Sequence, residues 1–259
     1  MPRIIMLGIV MSILTMGNIS DKHKPVIYII GDSTVKNGSG KGEGGLWGWG
    51  DFLYLNFDTT RVTIKNHAIG GRSSRTFITE GRWDRIMSVL KPGDYVIMQF
   101  GHNDGGAINH NSRARGTIKG TGDETEEIDN MLTRKHETVH TYGWYMREYI
   151  NGAKSKGAIP VVCSPIPRNI WKDGRVARAS DDYGKWAKES AVTGKAFFID
   201  LNELIAARYE DMGEEKVKTG FFLTDHTHTT REGAILNAAA LAEGIKNLKG
   251  CRLKKYLLQ

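Results

Sequence analysis

Only two cysteines, Cys163 and Cys251, occur in 259 residues, so at most one disulfide is available to this chain. Cys163 ends an apolar strand pattern, which favours a buried thiol over a bridge. Proline is also scarce, six against 31 glycines, which excludes a proline-rich disordered chain and suggests many tight turns. No run of five or more Lys/Arg occurs, so the net charge of +7 is spread thinly and offers no nucleic-acid patch. It leaves attraction to an acidic polymer open. After residue 16 no apolar stretch is long enough to cross a membrane, and no internal repeat is visible.

What is present starts at the N-terminus. Arg3 precedes the apolar run IIMLGIVMSILTM (4–16), followed by the small and polar GNIS and then DKHKP, the pattern of an n-region, h-region and cleavage zone. It predicts a signal peptide over about residues 1–20, one soluble domain over 21–259, and a secreted or periplasmic protein. No clean A-x-A triplet marks the cleavage site.

Five apolar runs rich in Val, Ile, Tyr and Phe read as buried strands: 26–30, 62–66, 95–100, 159–163 and 196–200. Between and after them, GWGDFLYLNF, EGRWDRIMSVL, TYGWYMREYINGAKSKG, DDYGKWAKESAV and TREGAILNAAALAEGIKNL carry apolar residues at helical spacing, the last two opening with Asp or Thr in capping position. Strand and helix alternate. That predicts an α/β fold, a parallel sheet with helices on both faces and ligands beyond the carboxyl ends of its strands. The long irregular stretch 105–132 is too long for a routine connection and is expected to form a rim around the site.

HETVH (136–140) fits the zincin pattern, in which His136 and His140 share a helix face around zinc and Glu137 is the general base. Gly143 extends the match, but the third ligand position holds Met146. The expectation is a helix start carrying two locally hydrogen-bonded histidines, with a zinc hydrolase as the rival enzyme. GSGKGEGG (38–45) fails as a phosphate loop, because Lys41 is followed by Gly42 rather than Ser or Thr.

The reactive residues fall at strand ends. The first strand runs into GDSTV, where Ser33 reads as a capping serine or as a nucleophile presented above the sheet. The second leads to NHAIGGRSSRTF, whose paired glycines let the Gly71 amide approach a ligand. The third ends in FGHND, aiming Asn103 at the same edge. Together they supply a nucleophile and oxyanion donors, the hardware of acyl transfer. In TDHTHTTREG, Asp225 is three residues from His228, close enough for the carboxylate to hold the imidazole. Asp225, His226 and His228 also suit a metal, and a solvated capping loop is the plain alternative.

In order and spacing, GDSTV, NHAIGGRSSR, GHND and DHTH resemble the four blocks of the SGNH hydrolases, and GGRSSR, GHNDGG with GTG, and DHTHT resemble their rhamnogalacturonan acetylesterase branch. The resemblance runs from about residue 26 to 245. It implies a flavodoxin-like three-layer α/β/α fold with a five-stranded parallel sheet and no metal or other cofactor. It implies Ser33 as nucleophile, Asp225 and His228 as base, and an oxyanion hole of the Ser33 and Gly71 amides with the Asn103 side chain. His226 receives no role. The expected activity is removal of O-acetyl groups from an acidic plant cell-wall polysaccharide, foremost rhamnogalacturonan. The alternatives are acetylxylan or another glycan or lipid ester, a zinc hydrolase, and a non-catalytic glycan-binding protein. Trp47 and Trp49 are candidates for stacking on a sugar face, with a core role as the competing reading.

Overall fold

The computed structural model describes residues 23–258, so the leader-like run at 4–16 and its cleavage zone lie outside the described residues. In chain order, β1 (Val26–Gly31) and β2 (Thr63–Asn66) are followed by two short helices, α1 (Ser74–Thr79) and α2 (Arg82–Met87), and by β3 (Tyr95–Gln99). A hairpin of β4 (Thr125–Asp129) and β5 (His136–His140) precedes α3 (Tyr142–Ser155) and β6 (Ile159–Cys163). The short pair β7 (Trp171–Lys172) and β8 (Arg175–Val176) leads to α4 (Tyr183–Thr193) and β9 (Phe197–Ile199). Three helices close the chain: α5 (Leu201–Met212), α6 (Glu214–Phe221) and α7 (Arg231–Asn247).

The main sheet has five strands in the order β2-β1-β3-β6-β9, all pairs parallel. This is the flavodoxin-like order expected, and it reverses direction between β1 and β3, where a doubly wound sheet opens a crevice. Alternation along each strand serves two cores. Ile27, Ile29, Ile97 and Val161 join one apolar cluster with α5 and α7, while Tyr28, Ile30, Val96, Met98 and Val162 join another with α1, α2, α3 and α4. In α3 the buried positions Tyr142, Tyr145, Met146, Tyr149, Ile150 and Ala153 follow helical spacing, each large side chain contributing about 1.5–3 kcal/mol of burial. Cys163 and Cys251 are both free and buried.

Four expectations are corrected. His136–His140 is a strand, not a helix start: β5 pairs antiparallel with β4, and the helix begins only at Tyr142, capped by Thr141 Oγ1. GWGDFLYLNF forms two tight 3-10 turns, Trp49–Asp51 and Leu53–Asn56, because Gly48 and Gly50 pack directly against the Val35 backbone. Trp49 is fully buried, its indole N–H donating to Gln99 Oε1 at 2.9 Å, so it offers no face to a sugar. Trp47 is half-buried and packs on Phe52, ring centroids 5.0 Å apart. Of the two expected capping residues, Thr230 accepts the Gly233 N–H at the start of α7, but Asp182 makes no cap bond at α4.

Candidate active site

The turn after β1 is built by close packing. A Cβ on Gly31 would lie 2.5 Å from the Gln99 carbonyl oxygen, so only glycine lets the chain bend here against β3. The turn closes through the Asp32 carbonyl, which accepts from Val35 and Lys36 N–H. The Asp32 carboxylate accepts the N–H and hydroxyl of Thr34, whose Oγ1 accepts from Gln99 Nε2 at 2.7 Å. Trp49, Gln99, Thr34 and Asp32 thus form a buried polar chain that fastens the Ser33 turn to β3.

The second block arrives by continuing the parallel ladder past β2, with His67 and Ile69 N–H donating to the Ile29 and Gly31 carbonyls. Gly70 is thereby laid against Ser33, and Gly71 turns with φ +76°, a left-handed conformation that suits glycine. The Asn103 amide, after β3, donates to the Arg72 carbonyl at 3.0 Å. Beneath it Asp104, fully buried, accepts from Ser74 N–H and hydroxyl and from Gly101 N–H, tying the second block to the third. Burial pushes the Asp104 carboxyl up to about 7, against the lowering effect of those donors. Among the described residues, the Ser33 and Gly71 N–H groups donate to no protein acceptor.

The fourth block is a tight turn before α7. Asp225 Oδ1 accepts from Thr227 N–H at 2.6 Å and His228 N–H at 2.7 Å, and Oδ2 lies 2.7 Å from His228 Nδ1. Partial burial alone would raise the Asp225 carboxyl, but these hydrogen bonds outweigh it and bring the pKa down to about 2. His228 Nε2 lies 2.8 Å from Ser33 Oγ. Thr229, next in sequence, is held by a bridge to Trp47, whose N–H donates to the Thr229 carbonyl at 2.9 Å. Trp47 therefore supports the His228 turn through its backbone.

The structure brings Ser33, Gly71, Asn103, Asp225 and His228 to one edge of the sheet, at the crevice between β1 and β3. His226 turns aside, its Nε2 3.1 Å from Arg168 Nη1, so the metal reading of Asp225, His226 and His228 loses its geometry. The zincin motif is dispersed. His136 pairs with Asp129 and Glu127, His140 stacks on Trp144 at 3.7 Å, and Glu137 binds the Arg75 guanidinium through both oxygens at 2.6 and 2.7 Å. No cluster of metal-ligating side chains occurs among the described residues.

Sequence reasoning missed three elements. Asp32, Thr34 and Gln99 act through contacts between distant positions and carry no local signal. Arg75, inside GGRSSR, is a buried tie that also donates to the Ile108 and Gly116 carbonyls. Arg115 lies in the stretch expected as a rim; it donates to the Gly71 carbonyl at 3.2 Å and lines a cleft of about 480 Å³ together with Asn103 and Tyr183.

Known proteins similar to this chain place it in a family. The chain is 36% identical over 227 residues to a probable rhamnogalacturonan acetylesterase of Bacillus subtilis, covering 86% of this chain and 93% of the relative. It is 35% identical over 220 residues to a rhamnogalacturonan acetylesterase of Emericella nidulans, covering 85% and 84%. Among solved structures, the Bacillus subtilis protein YxiM superimposes with a TM-score of 0.68 at 25% identity, covering 86% of this chain and 56% of that one. An acetylxylan esterase of Geobacillus stearothermophilus superimposes with a TM-score of 0.55 at 18% identity, covering 88% and 97%, a likeness of fold. Residues 29–234 match the GDSL-like lipase/acylhydrolase family, a span that holds Ser33, Gly71, Asn103, Asp225 and His228, and the chain belongs to that family.

Proposed function

We propose that this carboxylic ester hydrolase is a carbohydrate acetylesterase that removes O-acetyl groups from rhamnogalacturonan by serine acyl transfer. One observation carries the reading: Ser33 Oγ, His228 and Asp225 form a continuous hydrogen-bonded line, 2.8 Å and then 2.7 Å, at the mouth of the sheet crevice. Ser33 Oγ attacks the acetyl carbonyl as His228 Nε2 takes its proton, and Asp225 holds the ring in the tautomer that leaves Nε2 free to accept. The oxyanion meets the Ser33 and Gly71 N–H groups and the Asn103 amide, each such donor lowering the barrier by about 3–4 kcal/mol in sites of this kind. His228 then protonates the departing sugar oxygen, and a water activated by the same ring releases acetate and restores Ser33.

The names of the two relatives support rhamnogalacturonan over xylan, since the likeness to acetylxylan esterases is one of fold. The leader-like run at 4–16 supports action outside the cytoplasm, which N-terminal sequencing of exported protein checks.

The test is acetate release from acetylated rhamnogalacturonan and acetylated xylan, by wild type and Ser33→Ala, each with and without a chelator. Loss of about 10⁶-fold in kcat for Ser33→Ala, no chelator effect, and a preference for rhamnogalacturonan are expected. Release that survives Ser33→Ala but stops with chelator would overturn the mechanism. Preference for xylan would overturn the substrate alone.

A further inference from the structure

Positive charge lies thinly along the sequence, but the fold gathers part of it at one place away from the catalytic crevice. A cleft of about 800 Å³ is lined by Arg61, Lys246, Lys254 and Lys255 together with Leu257 and Leu258. The cations come from three segments: the turn before β2, the end of α7 and the 3-10 turn Arg252–Tyr256. Hydrogen bonds join the first and the last. Asp58 N–H donates to the Tyr256 carbonyl at 2.8 Å, Arg61 Nη1 donates to the Lys255 carbonyl at 3.0 Å, and the Arg61 guanidinium lies over the Tyr256 ring. Asp58 is the one acidic lining residue; its carboxylate accepts the Thr60 hydroxyl and N–H, which with Arg61 and Lys24 hold it below the usual pKa. It offsets one cation, and the three lysines form no ion pair among the described residues.

The same face carries exposed apolar side chains. Leu258 is 57% exposed, and its N–H donates to the Asn56 carbonyl at 3.0 Å. That bond sets it beside the 3-10 turn Leu53–Asn56, where Tyr54 and Leu55 are 49% and 43% exposed. Leucine and tyrosine beside unpaired lysines suit a lipid interface, the apolar groups entering the acyl boundary while the ammonium groups meet headgroup phosphates. An acidic polymer would answer the lysines and leave the leucines in water. A second copy of the chain is disfavoured, because a two-fold contact here would set the same cations against each other.

The position of the face has a consequence for the active site. Tyr256 packs edge-on against Tyr95, the first residue of β3, at 6.5 Å, so the face lies at the amino ends of the strands. Ser33 stands at the carboxyl ends, about 17 Å away along five residues of strand. The described chain also enters at the amino edge, where His23 Nε2 lies 2.8 Å from Asp94 Oδ1 and Lys24 Nζ donates to the Thr59 carbonyl at 2.7 Å. We infer that this face docks the enzyme on an anionic phospholipid surface, with Arg61, Lys246, Lys254 and Lys255 on headgroup phosphates and Leu258, Tyr54 and Leu55 at the acyl boundary. Because all five strands are parallel, a bilayer that takes the amino edge leaves the Ser33 crevice pointing outward, toward a polymer.

The experiment is cosedimentation of the full chain with vesicles of phosphatidylcholine and with vesicles of phosphatidylcholine containing about 30% phosphatidylglycerol. Wild type is expected to partition at least about tenfold more strongly onto the anionic vesicles at about 0.1 M salt, and to lose most of that preference at about 1 M, where the Debye length falls to about 3 Å. The neutral vesicles register any binding through the apolar run 4–16, so the preference reads the charged face alone. Combining Lys246→Gln, Lys254→Gln and Lys255→Gln should remove most of the preference, at about fivefold per lysine, with aryl acetate hydrolysis and denaturant midpoint as in wild type. Equal partition of wild type onto the two vesicles, or none onto either, overturns the inference without any substitution. A preference that the triple variant keeps also overturns it, since the charge effect then lies elsewhere. Polygalacturonate bound by wild type in place of the anionic vesicles, and not bound by the triple variant, would make the face a polymer site and overturn the lipid assignment. Partition needs no turnover, so these outcomes are independent of the esterase mechanism.

Discussion

In the turn before α7, Asp225 and His228 meet at 2.7 Å across three positions. In β5, His136 and His140 are four positions apart and remain on one face of an extended strand, which separates them by roughly 13 Å at the usual rise per residue. Both stretches offer histidine beside carboxylate, and the second has the more familiar spelling. The difference lies in the backbone. An i, i+4 spacing joins two side chains on a helix, whereas on a strand the residue between them, Glu137, is turned to the opposite side and spent on Arg75. The Asp225 turn instead folds the chain back on one carboxylate that accepts two backbone N–H groups and a ring nitrogen. One stretch is a structural tie between α1 and the hairpin; the other orients a base toward Ser33.

Substitutions can break this contrast. The largest expected effect is at Asp225: Asp225→Asn should lower kcat by about 10⁴-fold while the protein stays folded, because an amide favours the wrong His228 tautomer. Steady-state kinetics on an aryl acetate checks this, and near-normal kcat would reduce the turn to a capping loop. Next comes Arg75→Ala, expected to destabilise the fold by about 3–5 kcal/mol by stranding Glu137, whose carboxylate is held below its usual pKa, against the cost of burial, by Arg75 and Asn130. Denaturant unfolding measures it, and a change under 1 kcal/mol, the range of exposed pairs, would contradict the structural role.

Acid sharpens the comparison further. The Asp225 carboxyl, at about 2 in the fold, lies below the unfolded value of about 3.9, so its contribution to stability is present above the unfolded value. That contribution is lost as pH falls through about 2. Wild type and Asp225→Asn should therefore melt in parallel between pH 5 and 8, and wild type should lose its advantage only below about pH 4. The smallest effect belongs to His136→Ala, where an exposed side chain leaves and stability should move by less than about 0.5 kcal/mol. Acetate release by that variant should match wild type with and without chelator; a chelator-sensitive loss would restore the zinc reading.

How far the sequence could be read depended on the range of the interaction. The five sheet strands were legible because buried parallel strands are short apolar runs rich in Val, Ile, Tyr and Phe, and each falls within about a residue of its expected limits. The α3 helix was legible from its buried stripe, but the strand before it was absorbed into the same helical expectation, since five residues of β5 are too few to show their own period. The α5 and α6 helices went unread; in α6 the apolar positions are sparse among charged ones. The Trp49–Gln99–Thr34–Asp32 chain was out of reach because it joins residues as far apart as 65 positions.

The sequence by itself determined the α/β class and the positions of the four blocks, because strand periodicity and strand-end residues are local properties of the chain. It also limited the site to five side chains and amides at one edge. Only the tertiary structure decided that Ser33 faces His228, that Trp49 is a core residue, that Glu137 belongs to Arg75, and that Arg115 and Arg168 share a cleft with Asn103. Each of those facts depends on which distant backbones the parallel ladder and the two apolar layers bring together, and no spacing along the chain encodes a distance across the sheet.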